Sequence, residues 1–248
     1  MKPQKQSGLS RREFVKATGG GLIATTAGLM VPGHLLAEAQ QKYNILLIVT
    51  DQERYMPPSA LPSGYRLPGH EKLASRGTVF ENHQIASCVC TPSRSVMYTG
   101  LHIQNNGMFD NTNFPWSNDL STDIPTVGDM LRRQGYYTAY KGKWHLTDEF
   151  ETANDLHMPK RILSEEMQEY GFADYFGIGD MIAHTEGGYL HDGVIASMTK
   201  SWLRGKASAL KAEGAPWFMA VNLVNPHDVM YYNTDLPGAP KEQVKAAM

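Results

Sequence analysis

A cysteine and an arginine stand four residues apart at the start of a segment that is typical of a helix. The segment runs from Cys90 to Arg94 (CTPSR) and continues to Gly100. Pro92 suits the first turn of a helix, and Gly100 suits its end. Residue 90 would then lie at the helix N-terminus, where backbone N–H groups and the helix dipole favour negative charge. Arg94 would lie one turn further on, with a planar set of donors that can offset that charge.

A second pair of polar residues follows a predicted strand. The stretch from Gly135 to His145 (GYYTAYKGKWH) contains a predicted strand at residues 136 to 141 and then a short loop. That loop carries Lys143, which offers a positive charge, and His145, which can move a proton near neutral pH. The alternative for this pair is two solvated loop residues without a catalytic role.

Together the two motifs resemble the signatures of the sulfatase family, the formylglycine-dependent branch of the alkaline-phosphatase-like superfamily. The first matches the C-x-P-S-R nucleophile motif, with Thr99 and Gly100 closing the helix, and the second matches G-Y-x-T followed by G-K-W-H. The resemblance extends over residues 43 to 232 and corresponds to the N-terminal portion of the family's chain. It implies hydrolysis of sulfate esters and a fold of the alkaline-phosphatase type.

The resemblance implies that Cys90 is converted to formylglycine by a formylglycine-generating enzyme. The hydrated aldehyde would attack the sulfate ester, and its second hydroxyl would later expel sulfate. The resemblance also implies roles for the surrounding residues. Arg94 would fix the geminal diol, Lys143 would hold a sulfate oxygen, and His145 would act in the elimination step. His227, in the turn NPHD, would contact the sulfate near the leaving oxygen, although a turn histidine without a catalytic role is the alternative.

A divalent cation is also implied, with Asp51, Gln52 and residue 90 as its ligands. Ca²⁺ suits hard oxygen ligands, and Mg²⁺ or Mn²⁺ would replace it in relatives. Two aspartates are commoner at this point in the family, so the Asp51–Gln52 pair keeps a phosphonate or phosphate monoester hydrolase open as an alternative. Without the other motifs, Asp51 would be interpreted as a capping carboxylate after a strand.

The family's second metal-ligand pair has no matching segment after His227 in this sequence. A six-coordinate cation would be under-liganded by Asp51, Gln52 and residue 90 alone. The sequence therefore predicts the N-terminal part of a sulfatase catalytic domain at residues 40–248, apparently truncated at the C-terminus. An inactive remnant that only binds sulfated ligands is a further alternative.

The elements that must position these residues alternate between strands and helices, which favours an α/β fold. With the resemblance, this predicts an alkaline-phosphatase-like α/β/α sandwich with a largely parallel central sheet. Two apolar runs are predicted as strands buried on both faces. These two strands are at residues 43–50 and 217–224. Helices are predicted at residues 70–76, 93–99, 125–134, 164–170 and 192–210.

The N-terminus carries a pattern typical of export. Arg11 and Arg12 precede a mildly apolar stretch and then the small residues Ala37 and Ala39. Residues 1–39 are therefore predicted to be a twin-arginine signal peptide, read by the twin-arginine translocase and cleaved after Ala39. A membrane anchor is the alternative, but the apolar stretch is short and interrupted by glycines. The mature protein is expected to be periplasmic or secreted.

Composition limits the classes of function. Apolar residues make up 42% of the chain and charged residues 19%, which is typical of a globular protein. The formal net charge is −2, and removal of the basic N-terminus would make the chain more acidic. No nucleic-acid partner is expected. Both cysteines, Cys88 and Cys90, lie in one C-x-C, so a structural disulfide framework is excluded by their number.

Overall fold

Three parallel strands form the sheet in the part of the chain that the computed structural model describes, residues 42–148, 164–175 and 187–231. The strands are β1 (Ile45–Asp51), β2 (Tyr137–Gly142) and β3 (Trp217–Pro226). β3 lies in the centre and pairs in parallel with both of the others. The predicted parallel sheet is confirmed. The predicted signal peptide, residues 1–39, lies outside the described residues.

Helices connect the strands and cover the sheet. Their bounds are α1 (Pro68–Ala74), α2 (Cys90–Thr99), α3 (Ile103–Asn106), α4 (Val127–Arg133), α5 (Ser164–Glu169), α6 (Gly187–Arg204) and α7 (Lys206–Ala212). Short 3₁₀ segments occupy Pro58–Ala60 and His227–Tyr231. Within the described ranges, no helix has both the length and the apolar character that crossing a bilayer requires.

Two apolar cores lie on opposite faces of the sheet. Successive side chains of a strand point to opposite faces. Accordingly, Phe218 and Ala220 of β3 belong to one core, and Met219 and Val221 belong to the other. Buried side chains of α2 and α5 join the first core, while those of α6 and α7 join the second. This is the three-layer α/β/α arrangement that the sequence predicts.

Several predicted boundaries shift. The single helix expected at residues 192–210 is two helices, α6 and α7, separated at Gly205. The helix expected at residues 125–134 begins at Val127, because Thr126 is its N-cap: its side chain accepts from Gly128 N, and the Asp129 side chain accepts from Thr126 N. These changes leave the order of elements as predicted.

The prediction of a strand buried on both faces holds for β3 but is wrong for β1. The β3 residues Phe218 to Asn222 are all buried. In β1, by contrast, Ile45, Leu46 and Ile48 are 39%, 41% and 51% exposed. β1 is the outer strand of the described sheet and pairs only with β3 within it. An apolar run therefore identified the strand but not its position in the sheet.

Candidate active site

The carboxyl ends of the three strands meet at one edge of the sheet, which is where parallel α/β sheets place their ligands. Asp51 is the last residue of β1, Lys143 directly follows β2, and His227 directly follows β3. The N-terminus of α2 brings Cys90 to the same edge. Its Sγ lies 3.6 Å from Asp51 Oδ1 and 3.6 Å from Lys143 Nζ. Residues far apart in sequence are thus assembled around one thiol.

Arg94 forms hydrogen bonds with β1, with β3 and with the loop after β2. Its Nη2 donates to Asp51 Oδ2 at 2.7 Å, and its Nη1 donates to the backbone oxygen of Lys143 at 2.8 Å. Nη1 also donates to Asn222 Oδ1, on β3, at 3.1 Å. Arg94 is only 4% exposed. Its described contacts therefore run to β1, to β3 and to the loop after β2, and the direct contact with residue 90 that the resemblance implies stays a prediction.

Asp51 is a buried carboxylate between two cations. Besides Arg94, it contacts Lys143, whose Nζ lies 2.8 Å from Asp51 Oδ2. Burial raises the pKa of Asp51, but the charges of Arg94 and Lys143 and their hydrogen bonds lower it well below its usual range. The carboxylate therefore stays ionised at every pH at which the protein would function, and it offsets part of the buried positive charge.

The loop that carries Lys143 and His145 is held by its backbone and by Trp144. Thr91, in the first turn of α2, donates from Oγ1 to the backbone oxygen of His145 at 2.7 Å. Trp144 is fully buried, with ring centroids 5.5 Å from Tyr98 and 5.1 Å from Tyr170. Trp144 is therefore anchored in the first core between Lys143 and His145, which stabilises the loop that carries both of them.

Gly142 allows the end of β2 to approach β3 closely. Its φ is 89°, and a Cβ added there would lie 1.9 Å from the backbone oxygen of Asn222. The next residue, Lys143, donates its backbone N–H to that same oxygen at 3.1 Å. A side chain at position 142 would therefore push Lys143 away from the strand end.

We expect Gly142→Ala to lower the free energy of unfolding by about 2–3 kcal/mol, because it combines strain at a positive φ with a backbone clash. Denaturant unfolding measures the change. Gly193→Ala is the matched control, since a Cβ at that exposed position in α6 meets no atom within 4 Å. It is expected to stabilise the helix by about 0.5–1 kcal/mol. Equal effects of the two variants would contradict the assigned role of Gly142.

The environment of Cys90 favours the thiolate. Burial raises the pKa of the Cys90 thiol, but hydrogen bonds with His145 and His227 and the positive charge of Lys143 lower it to about 6. The thiolate is the reactive form of cysteine. The unconverted side chain is therefore expected to be a reactive nucleophile at neutral pH.

Alkylation of the unconverted chain by iodoacetamide tests this environment. The rate constant at Cys90 is expected to rise as the pH passes about 6 and to level off above it. Peptide mass spectrometry reports the rate at each cysteine separately. The exposed Cys88, two residues earlier, is the internal comparison. A Cys90 rate that continues to rise up to about pH 8.5, the ordinary pKa of a thiol, would contradict the proposed environment.

His227 faces the thiol with a carboxylate behind it. Its Nδ1 lies 2.9 Å from Asp228 Oδ1. Hydrogen bonds with Asp228 and Cys90 raise the pKa of His227 to about 9, although burial opposes the rise. The imidazole is therefore positively charged at neutral pH and carries a proton that it can donate.

Sequence reasoning missed several residues that support the site. Asn222 is fully buried, and its Oδ1 accepts from both Arg94 and Tyr98, the latter at 2.8 Å. Asn111 accepts from the backbone N–H of Thr91 at 3.0 Å, at the start of α2. A signal existed for Asn222, because it is the one polar residue within the apolar run Trp217 to Val224. Asn111 carries no comparable signal.

Donor atoms of Asp51, Cys90 and His227 lie within 4.8 Å of one another and could hold a metal ion. The set fits a hard cation only in part. It contains one carboxylate, and Arg94 and Lys143 already contact one of its oxygens. Gln52, the predicted neighbouring ligand, is exposed and has a φ of 58°. A six-coordinate cation would need further oxygen ligands beyond this cluster.

Comparison with known proteins extends the similarity over most of the chain. The family model described as Sulfatase matches residues 43–246. Among curated proteins, the steryl-sulfatase of Homo sapiens is 32% identical over 155 residues, which is 57% of this chain. The matched region is 24% of that relative's length. The chain thus spans about a quarter of the human relative.

Solved structures show the same fold. A putative sulfatase from Bacteroides fragilis superposes with a TM-score of 0.57 at 20% identity, over 92% of this chain and 57% of the other. A structure described as a complex with its substrate, D-glucosamine-2-N,6-O-disulfate, gives a TM-score of 0.52 at 22% identity, over 75% of this chain and 35% of the other. The predicted alkaline-phosphatase-like fold is confirmed, and the chain spans only part of the length of each of these neighbours.

Proposed function

Because this chain belongs to the sulfatase family, we propose that the protein hydrolyses sulfate esters with residue 90 as its nucleophile. One observation carries the proposal: Lys143, His145 and His227 all converge on the side chain of residue 90. Two of these side chains come from loops that directly follow different strands. An anionic ester that approached residue 90 would meet positive charge and proton donors on its way.

Each residue has a task in such a reaction. Conversion of Cys90 to formylglycine would supply a hydrated aldehyde oxygen as the attacking group. Lys143, whose Nζ is 3.6 Å from the Cys90 sulfur, would bind a sulfate oxygen and offset its negative charge. His145 would hydrogen-bond the hydroxyl at residue 90 and take its proton when sulfate is expelled.

His227 would protonate the leaving alcohol. Its hydrogen bond with Asp228 raises the pKa of the His227 imidazole, so the ring carries the proton that the departing oxygen needs at neutral pH. Arg94 would act indirectly, because it holds the carboxylate of Asp51 and the backbone of Lys143 in place. Among the cationic residues at this edge, Lys143 would thus bind the anion, while Arg94 would hold the site in place.

Asp51, Gln52 and residue 90 would hold a divalent cation, with Ca²⁺ preferred and Mg²⁺ or Mn²⁺ as alternatives. The chemistry that such an ion supplies is polarisation of the sulfate ester. Asp51 is suited to it because its pKa is held low and its Oδ1 faces Cys90 at 3.6 Å. A six-coordinate cation would need further oxygen ligands besides these three residues.

The organic part of the substrate is proposed to be a small molecule or a glycan. Support comes from the steryl-sulfatase relative and from the neighbour crystallised with a glucosamine disulfate. The twin-arginine pattern at residues 10–16 supports export to the periplasm or beyond by the twin-arginine translocase. A formylglycine-generating enzyme would act on Cys90 before export, because that translocase carries folded proteins.

Parallel assays on purified protein from the native host test the proposal. An aryl sulfate and a phosphonate monoester with the same leaving group are offered at equal concentration, and the Cys90 peptide is analysed by mass spectrometry. We expect faster hydrolysis of the sulfate and an aldehyde at residue 90. Faster hydrolysis of the phosphonate would favour the alternative function, a phosphonate monoester hydrolase. The Asp51–Gln52 pair is the sequence feature that keeps this alternative open. An unmodified thiol without hydrolysis of either ester would overturn the proposal.

A further inference from the structure

The turn after β3 is bound to the start of α6 through a buried carboxylate. Asp228 is only 6% exposed, and both of its oxygens are used. Oδ2 accepts from the backbone N–H of Gly188 at 3.0 Å, and Oδ1 contacts His227 Nδ1 at 2.9 Å. Position 188 is tightly packed, because a Cβ added there would lie 2.4 Å from Asn225 Oδ1. Asp228 therefore connects a firmly seated helix end to the ring of His227.

A second aspartate binds the same helix to the same strand without touching His227. Asp192, one turn further along α6, accepts from the backbone N–H of Val224 at 2.7 Å and of Asn225 at 2.9 Å. Burial raises the pKa of Asp192. Asp192 and Asp228 are thus two carboxylates at one junction, each accepting two hydrogen bonds. Only the bond from Asp228 to His227 reaches the candidate active site.

We propose that Asp228 is a positioning residue that sets the orientation of the His227 ring and leaves Nε2 to face residue 90. A carboxylate oxygen can only accept, so Nδ1 must be the donor in this pair. The hydrogen bond of one ring nitrogen determines what the other nitrogen can do. Since Nδ1 is engaged by Asp228, Nε2 is the nitrogen that is left for the contact with Cys90. The proposal rests on the proposed function only for the catalytic task of His227.

Asparagine at position 228 would break this arrangement while keeping its size. Asp228 accepts two N–H groups, whereas asparagine has one acceptor oxygen and one donor group. If that oxygen keeps the bond with Gly188, the amide NH₂ faces His227 Nδ1 and opposes a proton there. If the oxygen keeps the bond with His227, the Gly188 N–H loses its acceptor in a buried place. The same change at Asp192 leaves the ring of His227 untouched.

The test compares Asp228→Asn with Asp192→Asn in the converted protein. We expect Asp228→Asn to lower kcat by roughly 10- to 100-fold, the range known for removing a partner that orients a metal-bound histidine, with little change in KM. Asp192→Asn is expected to lower the melting temperature while kcat stays close to that of the wild type. In a His227→Ala background, Asp228→Asn should cause no further loss of kcat, because it acts through His227.

NMR of ¹⁵N-labelled protein supplies a readout that needs no activity. The hydrogen-bonded Nδ1 proton of His227 is expected in the wild type and in Asp192→Asn, and it should be lost or shifted in Asp228→Asn. Absence of this proton in the wild type would overturn the proposal even if Asp228→Asn did not fold. Equal losses of kcat in both aspartate variants would also overturn it. Inactive wild-type protein that shows the Nδ1 proton would contradict the proposed function but not the positioning by Asp228.

Discussion

Cys90→Ala is expected to lower kcat/KM for sulfate-ester hydrolysis by roughly 10⁴-fold or more, because the variant removes the group from which the proposed nucleophile is made. The remaining Lys143, His145 and His227 would still bind an anion, so KM for the substrate should change much less than kcat. Steady-state kinetics on one sulfate ester measures both constants. A thermal melt checks that the variant is folded.

Cys88→Ala is the matched control for this prediction. It removes the other cysteine of the same C-x-C, which is exposed and lies before the start of α2. Its kcat/KM should equal that of the wild type, because Cys88 is not among the groups that contact residue 90 in the described site. Activity of Cys90→Ala within tenfold of the wild type would refute the assignment of the nucleophile, as would an equal loss in Cys88→Ala.

The part of the site that sequence could predict is the part encoded in contiguous motifs. Cys90 and Arg94 share one helix, and Lys143 and His145 share one loop, so their spacing alone indicates that each pair acts together. The structure adds the edge at which they meet, because parallel strands place their carboxyl ends together. Local patterns therefore predicted which residues take part, and the sheet topology brings them to one place.

The supporting residues depend on tertiary contacts that no local pattern encodes. In the sequence, Asp228 is an ordinary turn residue. Its role is visible only in the structure, where the backbone N–H of Gly188 in α6 donates to it. In the sequence, Asn222 only interrupts an apolar strand. In the structure, its Oδ1 accepts hydrogen bonds from Arg94 and Tyr98. The ring of Tyr98 packs in the first core, and its hydroxyl also joins this network. Side-chain contacts across long sequence separations decide such roles.

The largest effect on stability is expected from Asp51→Asn. The variant keeps the size of the side chain but leaves Arg94 and Lys143, which are 4% and 1% exposed, without their carboxylate. Breaking a buried ion pair by removing one partner costs about 3–5 kcal/mol, because the remaining charge is left unpaired away from water. Denaturant unfolding at neutral pH measures the loss. Hydrolysis should fall as well, since Lys143 and Arg94 lose the group that holds them.

Glu71→Gln is the control for burial, because it removes a carboxylate from the exposed pair with Arg66, whose side chains are 72% and 48% exposed. Its unfolding free energy should match that of the wild type within error. The loss in Asp51→Asn should also depend on pH. The pKa of Asp51 is held below its usual range, so its contribution is complete above about pH 4, the ordinary pKa of an aspartate, and declines in stronger acid. The difference between wild type and Asp51→Asn should therefore shrink as the pH falls, and a constant difference would mean that the carboxylate charge is not its source.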